Sequence, residues 1–180
     1  MVEKKPISKP KNFPNKPILA DSSNIINFYS KTKVYSEFSN FHRASFNLDS
    51  KEWPTVEQYF QAQKCLDENV QEQIRTLKSP KTVKSMGRNV VLREDWELVK
   101  FDIMEKALKA KFEQNESLKK LLLGTGQKEL REHTARDNLW GDGGNGKGKN
   151  MLGKILMKVR EDLRKNAIEE KKDNVEEKKD

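Results

Sequence analysis

From Thr55 onward the sequence is punctuated almost throughout by helix caps, and this confines the chain to a predominantly helical fold. Thr55-Val56-Glu57-Gln58 places a hydroxyl three residues before a glutamine, the spacing of a capping box. It predicts a helix from Thr55 to about Asp67, with Val56, Tyr59, Phe60, Leu66 and Val70 on one broad apolar face. Residues 68–77 predict a short second helix. Ser79-Pro80 pairs a cap with proline at the first helical position, opening a third helix that Gly87 is expected to end. Glu94 to about Gln114 is the longest segment, with Leu98, Phe101, Met104, Leu108 and Phe112 recurring at three and four residues as one buried stripe. Residues 116–123 follow as another short helix, closed by Gly124. Asn150 is read as the cap of a last helix whose Leu152, Ile155, Leu156, Val159 and Leu163 form its apolar stripe. Upstream, residues 25–53 alternate short apolar and polar runs rich in aromatics, and Asp49-Ser50-Lys51 reads as a turn. That part predicts short strands or extended loops with one small hairpin. The expected class is α+β, predominantly helical, with a small β or irregular part near the start.

The 180 residues carry a net charge of +8, which invites a nucleic-acid reading. Where the charge sits narrows it. Residues 1–20 hold +4 and four of the six prolines, so residues 1–22 are expected to form a disordered basic arm. Residues 164–180 hold six bases and six acids. They predict a charged tail over 165–180 whose i,i+4 pairs extend a helix in solvent. The intervening residues 21–163 keep only +4, and a single folded domain is expected over 23–164. No segment approaches the roughly 18 uncharged apolar residues of a spanning helix, and the N-terminal residues lack the apolar region of a secretory signal. A single cysteine, Cys65, leaves no intramolecular disulfide and no multi-cysteine zinc site. A cytoplasmic protein with no membrane partner is expected. His42 and His133 are isolated, so no metal site is expected either.

Three places are able to carry chemistry. Glu57, Gln61 and Lys64 fall at i, i+4 and i+7 of the Thr55 helix, beside its apolar face. The macrodipole at the first turn stabilises the Glu57 anion, which suits a base or an electrostatic stabiliser. The same spacing also describes a solvated stripe with a capping glutamate. Between Asp137 and Asn150, five of the nine glycines lie within eight residues. Gly141 to Lys147 fits G-x-x-x-x-G-K, but Gly148 follows where Ser or Thr is needed, so the nucleotide-binding P-loop reading fails. What survives is a loop whose backbone N–H groups, the last helix's N-terminus, Lys147 and Lys149 would favour an anion, or else a mobile surface loop. The aromatic run at 28–41, interleaved with Ser39 and Asn40 and followed by Arg43, would stack on a planar base, or would form ordinary core.

These features occur together in one family. Residues 28–163 resemble a NADAR domain, the family of the YbiA-like proteins. The resemblance rests on Glu37-Phe38-Ser39-Asn40-Phe41, on the run from Trp53 to Lys64, on Met86-Gly87-Arg88 and on Arg93-Glu94-Asp95-Trp96. It continues through Lys111-Phe112, the run from Leu121 to Gly126, Asp137-Asn138-Leu139-Trp140-Gly141, and Gly148-Lys149-Asn150-Met151-Leu152-Gly153. Glu37 is a departure, since many members have an apolar residue before Ser-Asn-Phe. The resemblance implies N-glycoside hydrolysis: cleavage of a phosphorylated ribose from a nitrogen of a base. The substrates it implies are early riboflavin-pathway intermediates, or ADP-ribosylated guanine, free or in DNA or RNA. It implies no cofactor. Carried over by position, it implies Glu57, Lys64, Trp96 and Asp137 as the catalytic set. Ser39, Asn40, Phe41, Arg88, Trp140 and the loop residues Gly141, Gly143, Gly146, Lys147, Gly148, Lys149 and Asn150 are the implied substrate contacts.

Breaking an N-glycosidic bond develops positive charge at ribose C1′. A nearby carboxylate stabilises it, and a second group protonates the departing nitrogen or activates water. Glu57 and Asp137 are able to divide these roles. Lys64 offers another route, exchanging as a neutral amine onto the ring-opened C1′ as a Schiff base, which requires desolvation and a lowered pKa. Two other functions fit the same residues: a module that binds ADP-ribose or a nucleotide without cleaving it, and a nucleic-acid binder.

Overall fold

A computed structural model describes residues 24–176, with side chains to residue 169. The basic arm expected over residues 1–22 lies outside the described residues, as do the last four residues of the charged tail. Thr55 behaves as its spacing predicts. Its Oγ1 accepts the Gln58 N–H at 3.1 Å, and α1 (Val56–Ala62) begins at the next residue. The helix then stops five residues short of Asp67. Asp67 caps α2 (Glu68–Thr76) by accepting the N–H groups of Asn69 and Val70, and the Arg93 N–H takes the Lys64 carbonyl, so the chain has to leave α1 before them. Leu66, expected on the apolar face, is therefore exposed.

Helix α3 (Pro80–Asn89) runs through Gly87 rather than ending there. Helix α4 (Trp96–Gln114) buries Trp96, Ile103, Met104, Ala107, Leu108, Lys111 and Phe112. Leu98 was expected in that stripe but is 81% exposed. At 100° per residue it lies about 200° around the helix from Trp96. Helix α5 (Glu116–Leu123) matches its expected span. The last helix, α6 (Met151–Glu176), buries the whole predicted stripe from Leu152 to Leu163 and continues into the tail.

The β part comprises two small pairs. Strands β1 (Phe46–Leu48) and β2 (Lys51–Trp53) form an antiparallel hairpin, and its two connecting residues, Asp49 and Ser50, both have positive φ. The second pair is parallel. It joins β0 (Ile25–Phe28), which opens the described chain, to β3 (Glu129–Glu132), in register from Ile25 opposite Glu129 to Phe28 opposite Glu132. Sequence reading gives no hint of β3, because Glu-Leu-Arg-Glu has one apolar residue. Leu130 and Glu132 turn inward, while Glu129 and Arg131 pair outside at 2.9 Å. Asn150 supports the far edge. Its side-chain amide donates to the Leu130 carbonyl and its Oδ1 accepts the Glu132 N–H, so it substitutes for a neighbouring strand instead of capping α6. The α+β, predominantly helical class stands, as one domain. Its core is formed by α1, α4 and α6 with the inner faces of both strand pairs.

Candidate active site

Glu57, in the first turn of α1, is only 4% exposed. Its backbone N–H donates to the Asn40 carbonyl at 2.9 Å, and the Asn40 side-chain amide donates back to Glu57 Oε2. Gln61, one turn further on, donates to Oε1 at 2.9 Å. The stripe is thus not solvated: Glu57 and Gln61 face inward as a bonded pair. One donor on each oxygen favours the anion. Burial acts the other way and prevails, lifting the carboxyl above its ordinary range. Gln61, Lys84 and Lys64 pull it down, and Asp137 pushes it further up. The charges of α1, α3 and the Asp137 loop therefore meet around one carboxyl.

Lys64 lies just past the end of α1 and is half-buried. Its Nζ donates to the Gly87 carbonyl at 3.2 Å and stands 6.0 and 5.9 Å from the ring centres of Phe60 and Trp96. Burial depresses its pKa, Glu57 opposes this, and the Arg88 and Lys84 charges add to it. Gly87 makes the approach possible, since a Cβ there would fall 2.0 Å from Gln61 Oε1. Phe60 contacts Trp96 at 5.0 Å and Trp140 at 5.2 Å between ring centres, and Trp140 contacts Phe101 at 5.5 Å. Lys64 thus sits against an aromatic wall shared by α1, α4 and the loop after β3.

That loop is folded on itself. Asp137 Oδ1 accepts the N–H groups of Leu139 and Trp140 at 2.9 and 2.7 Å, which fixes Trp140. The N–H groups of Gly148, Lys149, Asn150, Met151 and Leu152 donate to the carbonyls of Asp142, Asn138, Gly141, Leu139 and Trp140. The expected cradle of backbone N–H groups at the start of α6 is therefore already occupied by the loop's own carbonyls. Gly141 and Gly148 are there for close packing: a Cβ on Gly148 would lie 2.5 Å from the Gly141 oxygen. Gly143 and Gly146 have φ of +72° and +75°. Lys147, Lys149 and Arg88 are exposed.

Phe28 and Phe38 are fully buried and belong to the core, whereas Phe41 is half-buried. Phe41 lines a small cavity with Arg43, Thr55, Glu57, Lys78 and Val83, and Lys84 stands 5.9 Å from its ring centre. Ser39 is buried, and its Oγ accepts the Phe41 N–H.

Three residues escaped the sequence reading. Lys111 is fully buried on α4 and donates to the Glu37 and Ser39 carbonyls at 2.7 and 3.0 Å, tying down the segment that carries Asn40. Burial pushes its pKa down to about 7 against the raising effect of Glu37. The Lys111-Phe112 pair was visible in the sequence, but a lysine in an apolar stripe gave no sign of its purpose. Lys84, on α3, acts on Glu57 from a different helix and carries no motif. Glu132 is 6% exposed at the inner end of β3, and a strand that cannot be read from sequence hides it. Among the described residues, no group of three or more His, Cys, Asp or Glu side chains is placed to hold a metal ion, and no helix is long and apolar enough to cross a membrane.

Residues 27–164 match the NADAR domain family. The chain is 55% identical over 141 residues to the N-glycosidase YbiA of Shigella boydii, covering 77% of this chain and 88% of that protein. It is 38% identical over 144 residues to a riboflavin biosynthesis protein of Vibrio vulnificus, covering 79% of this chain and 39% of that one. The NMR structure of Escherichia coli YbiA superposes with a TM-score of 0.75 at 52% identity, covering 81% of this chain and 88% of that chain.

Proposed function

This chain belongs to the NADAR family, and from that premise we propose that it is an N-glycosidase acting on a phosphorylated ribose joined through nitrogen to a base. The carrying observation is Glu57, buried and held on both carboxyl oxygens by Asn40 and Gln61, with Lys64 beside it against Phe60 and Trp96. A pure binding module has no use for a buried carboxylate of raised proton affinity next to an amine of lowered proton affinity, because holding both costs stability. The names of the relatives point to nucleotide-like substrates. Two substrates meet the description: ADP-ribosylated guanine, free or within DNA or RNA, and an early riboflavin-pathway intermediate. The expected location is the cytoplasm.

In this reading Glu57 stabilises the positive charge that grows at C1′, and Asp137 assists it. Lys64 attacks the ring-opened C1′ as a neutral amine, a role that its burial supports. Trp96, Trp140 and Phe41 flank the base and ribose, while Arg88, Lys147 and Lys149 meet phosphate. The test follows base release from ADP-ribosylated guanosine, ADP-ribosylated DNA and the riboflavin intermediate. Glu57→Gln and Lys64→Ala are each expected to lower turnover by at least about 100-fold. Borohydride is expected to trap a ribosyl adduct on Lys64 in the wild type. Release at the wild-type rate by both variants overturns the assignment, and release without any trapped adduct leaves direct hydrolysis by water.

A further inference from the structure

Resting on that reading, we propose that Glu132 is the acid that protonates the departing base nitrogen. Glu132 feels the charges of three other carboxyls, Glu57, Asp137 and Asp142, and the hydrogen bonds of the four differ. Glu57 accepts from Asn40 and Gln61. Asp137 accepts two backbone N–H groups. Asp142 accepts from His133 at 2.8 Å and from the N–H groups of Gly144 and Thr134. Despite the effect of burial, these donors hold Asp142 below its ordinary range. Among the described residues, no donor lies within hydrogen-bond distance of the Glu132 carboxyl. Its own backbone N–H and carbonyl are occupied by Asn150 and Asp142.

Glu57, Asp137 and Asp142 each therefore have donors on the carboxyl, and Glu132 has none. Glu132 also sits at a core-facing position of β3, one strand step beyond fully buried Leu130, where an apolar side chain would cost nothing. The charged groups that act on it are Asp137 and Asp142 from the loop, Glu57 from α1 and Lys84 from α3. Burial first, and then the three like charges, push its pKa up to about 7, with Lys84 opposing them. Burial lifts Glu57 as well, but Glu57 keeps a donor on each oxygen and Glu132 has none, an asymmetry of the kind by which other sites divide acid and base roles between carboxyls.

The step balances. As the C1′–N bond breaks, its electron pair passes to nitrogen and takes the Glu132 proton. Lys64 Nζ, bonded to the ring-opened C1′, holds it as the base leaves; water then adds its oxygen to C1′, gives a proton to the carboxylate of Glu57, and the C1′–Nζ bond breaks to restore the amine. That proton returns to Glu132 across the carboxyl cluster, and the products are free base and free ribosyl hydroxyl.

The experiment compares pH–rate profiles of the wild type and Glu132→Gln on ADP-ribosylated guanosine and on 4-nitrophenyl riboside 5-phosphate, whose leaving group departs without a proton. The wild type is expected to lose rate with guanosine as pH rises through about 7 and to show no such limb with nitrophenol. Glu132→Gln is expected to lose 10²- to 10⁴-fold in kcat with guanosine, to abolish that limb, to leave KM within about threefold, and to retain most of its rate with nitrophenol. Thermal melting checks that the isosteric amide folds, and the wild-type comparison of leaving groups stands without any variant. An equal loss on both substrates, or an unchanged guanosine profile, overturns the role of Glu132. A wild type that releases no base from any substrate overturns the proposed function itself, a result visible before any variant is made.

Discussion

Gly87→Ala is the sharpest test of how α1 and α3 build the site. In an open helix interior this substitution stabilises by about 0.8–1 kcal/mol, because alanine loses less backbone entropy. Here the new Cβ would lie 2.0 Å from Gln61 Oε1, 2.7 Å from its Cδ and 2.8 Å from its Cβ. Contact with Gln61 Cβ as well as the side-chain end means that rotating the amide away does not clear the space, so the helices must part. Overpacking of this kind costs about 1–3 kcal/mol. The displaced Gln61 also stops donating to Glu57 Oε1, a hydrogen bond to a charged group worth about 1.5–3 kcal/mol. The costs exceed the helix gain, and the expected net destabilisation is about 2–4 kcal/mol. Because the Gly87 carbonyl is also the acceptor for Lys64, turnover should fall with stability. Urea unfolding measures the first and base release the second. In a Gln61→Gly background all three atoms are gone, and the cost of Gly87→Ala should shrink to near zero. An equal cost in both backgrounds, or a Gly87→Ala protein as stable as the wild type, would refute the packing argument.

Asn40→Ala removes the other donor to Glu57, so the carboxyl should titrate higher still and kcat should fall, as read by carbon NMR of Glu57 and by base release. Lys111→Met should remove a stability trend: Lys111 ionises near 7 when folded and near 10.5 when unfolded, so the unfolded chain holds the extra proton between those values and wild-type stability rises with pH across them. Urea midpoints taken from pH 7 to 10 should climb for the wild type more steeply than for Lys111→Met. Gly148→Ala should destabilise by more than about 2 kcal/mol, since its Cβ would meet the Gly141 oxygen and Asp142 carbon at 2.5 Å, and thermal melting reads it directly.

Much of the helical frame is legible in the sequence because its signals are local. Thr55, Pro80 and the α6 stripe each declare themselves within one or two turns. The interruptions are not local. Helix α1 ends where it does because Asp67 and Arg93 claim its continuation, and Gly87 continues a helix because Gln61 needs its space. Strand β3 exists only because β0, a hundred residues earlier, and Asn150 supply its hydrogen bonds. The same division holds at the site. Glu57, Lys64, Asp137 and Trp140 lie in recognisable runs. Lys84 and Glu132 act through space from elements whose approach no spacing reveals. The Gly-rich loop was legible as a loop, but whether its N–H groups face outward depends on the carbonyls folded against them.

That last point changes how an anion is met, and with it the meaning of the charge. The carboxyls are held inside: Glu57, Glu132 and Asp142 are buried, and Asp137 is partly so. Such an interior favours the positive C1′ of the transition state and repels phosphate. In the proposed function phosphate therefore lies outward, and with the backbone N–H groups at the start of α6 engaged it is met by exposed cations. Lys84, Arg88, Lys147 and Lys149 are exposed, and none has an acidic partner within 4.0 Å among the described residues. Contacts made by solvated lysines are screened by salt, whereas buried backbone contacts are screened far less. KM for a phosphorylated riboside should accordingly rise several-fold between 50 and 500 mM salt, with kcat nearly constant because the interior carboxyls are shielded. Lys147→Ala with Lys149→Ala should flatten that dependence. A KM indifferent to salt would return phosphate recognition to the backbone of the loop and would require the hydrogen bonds between residues 137 and 152 to open when substrate binds.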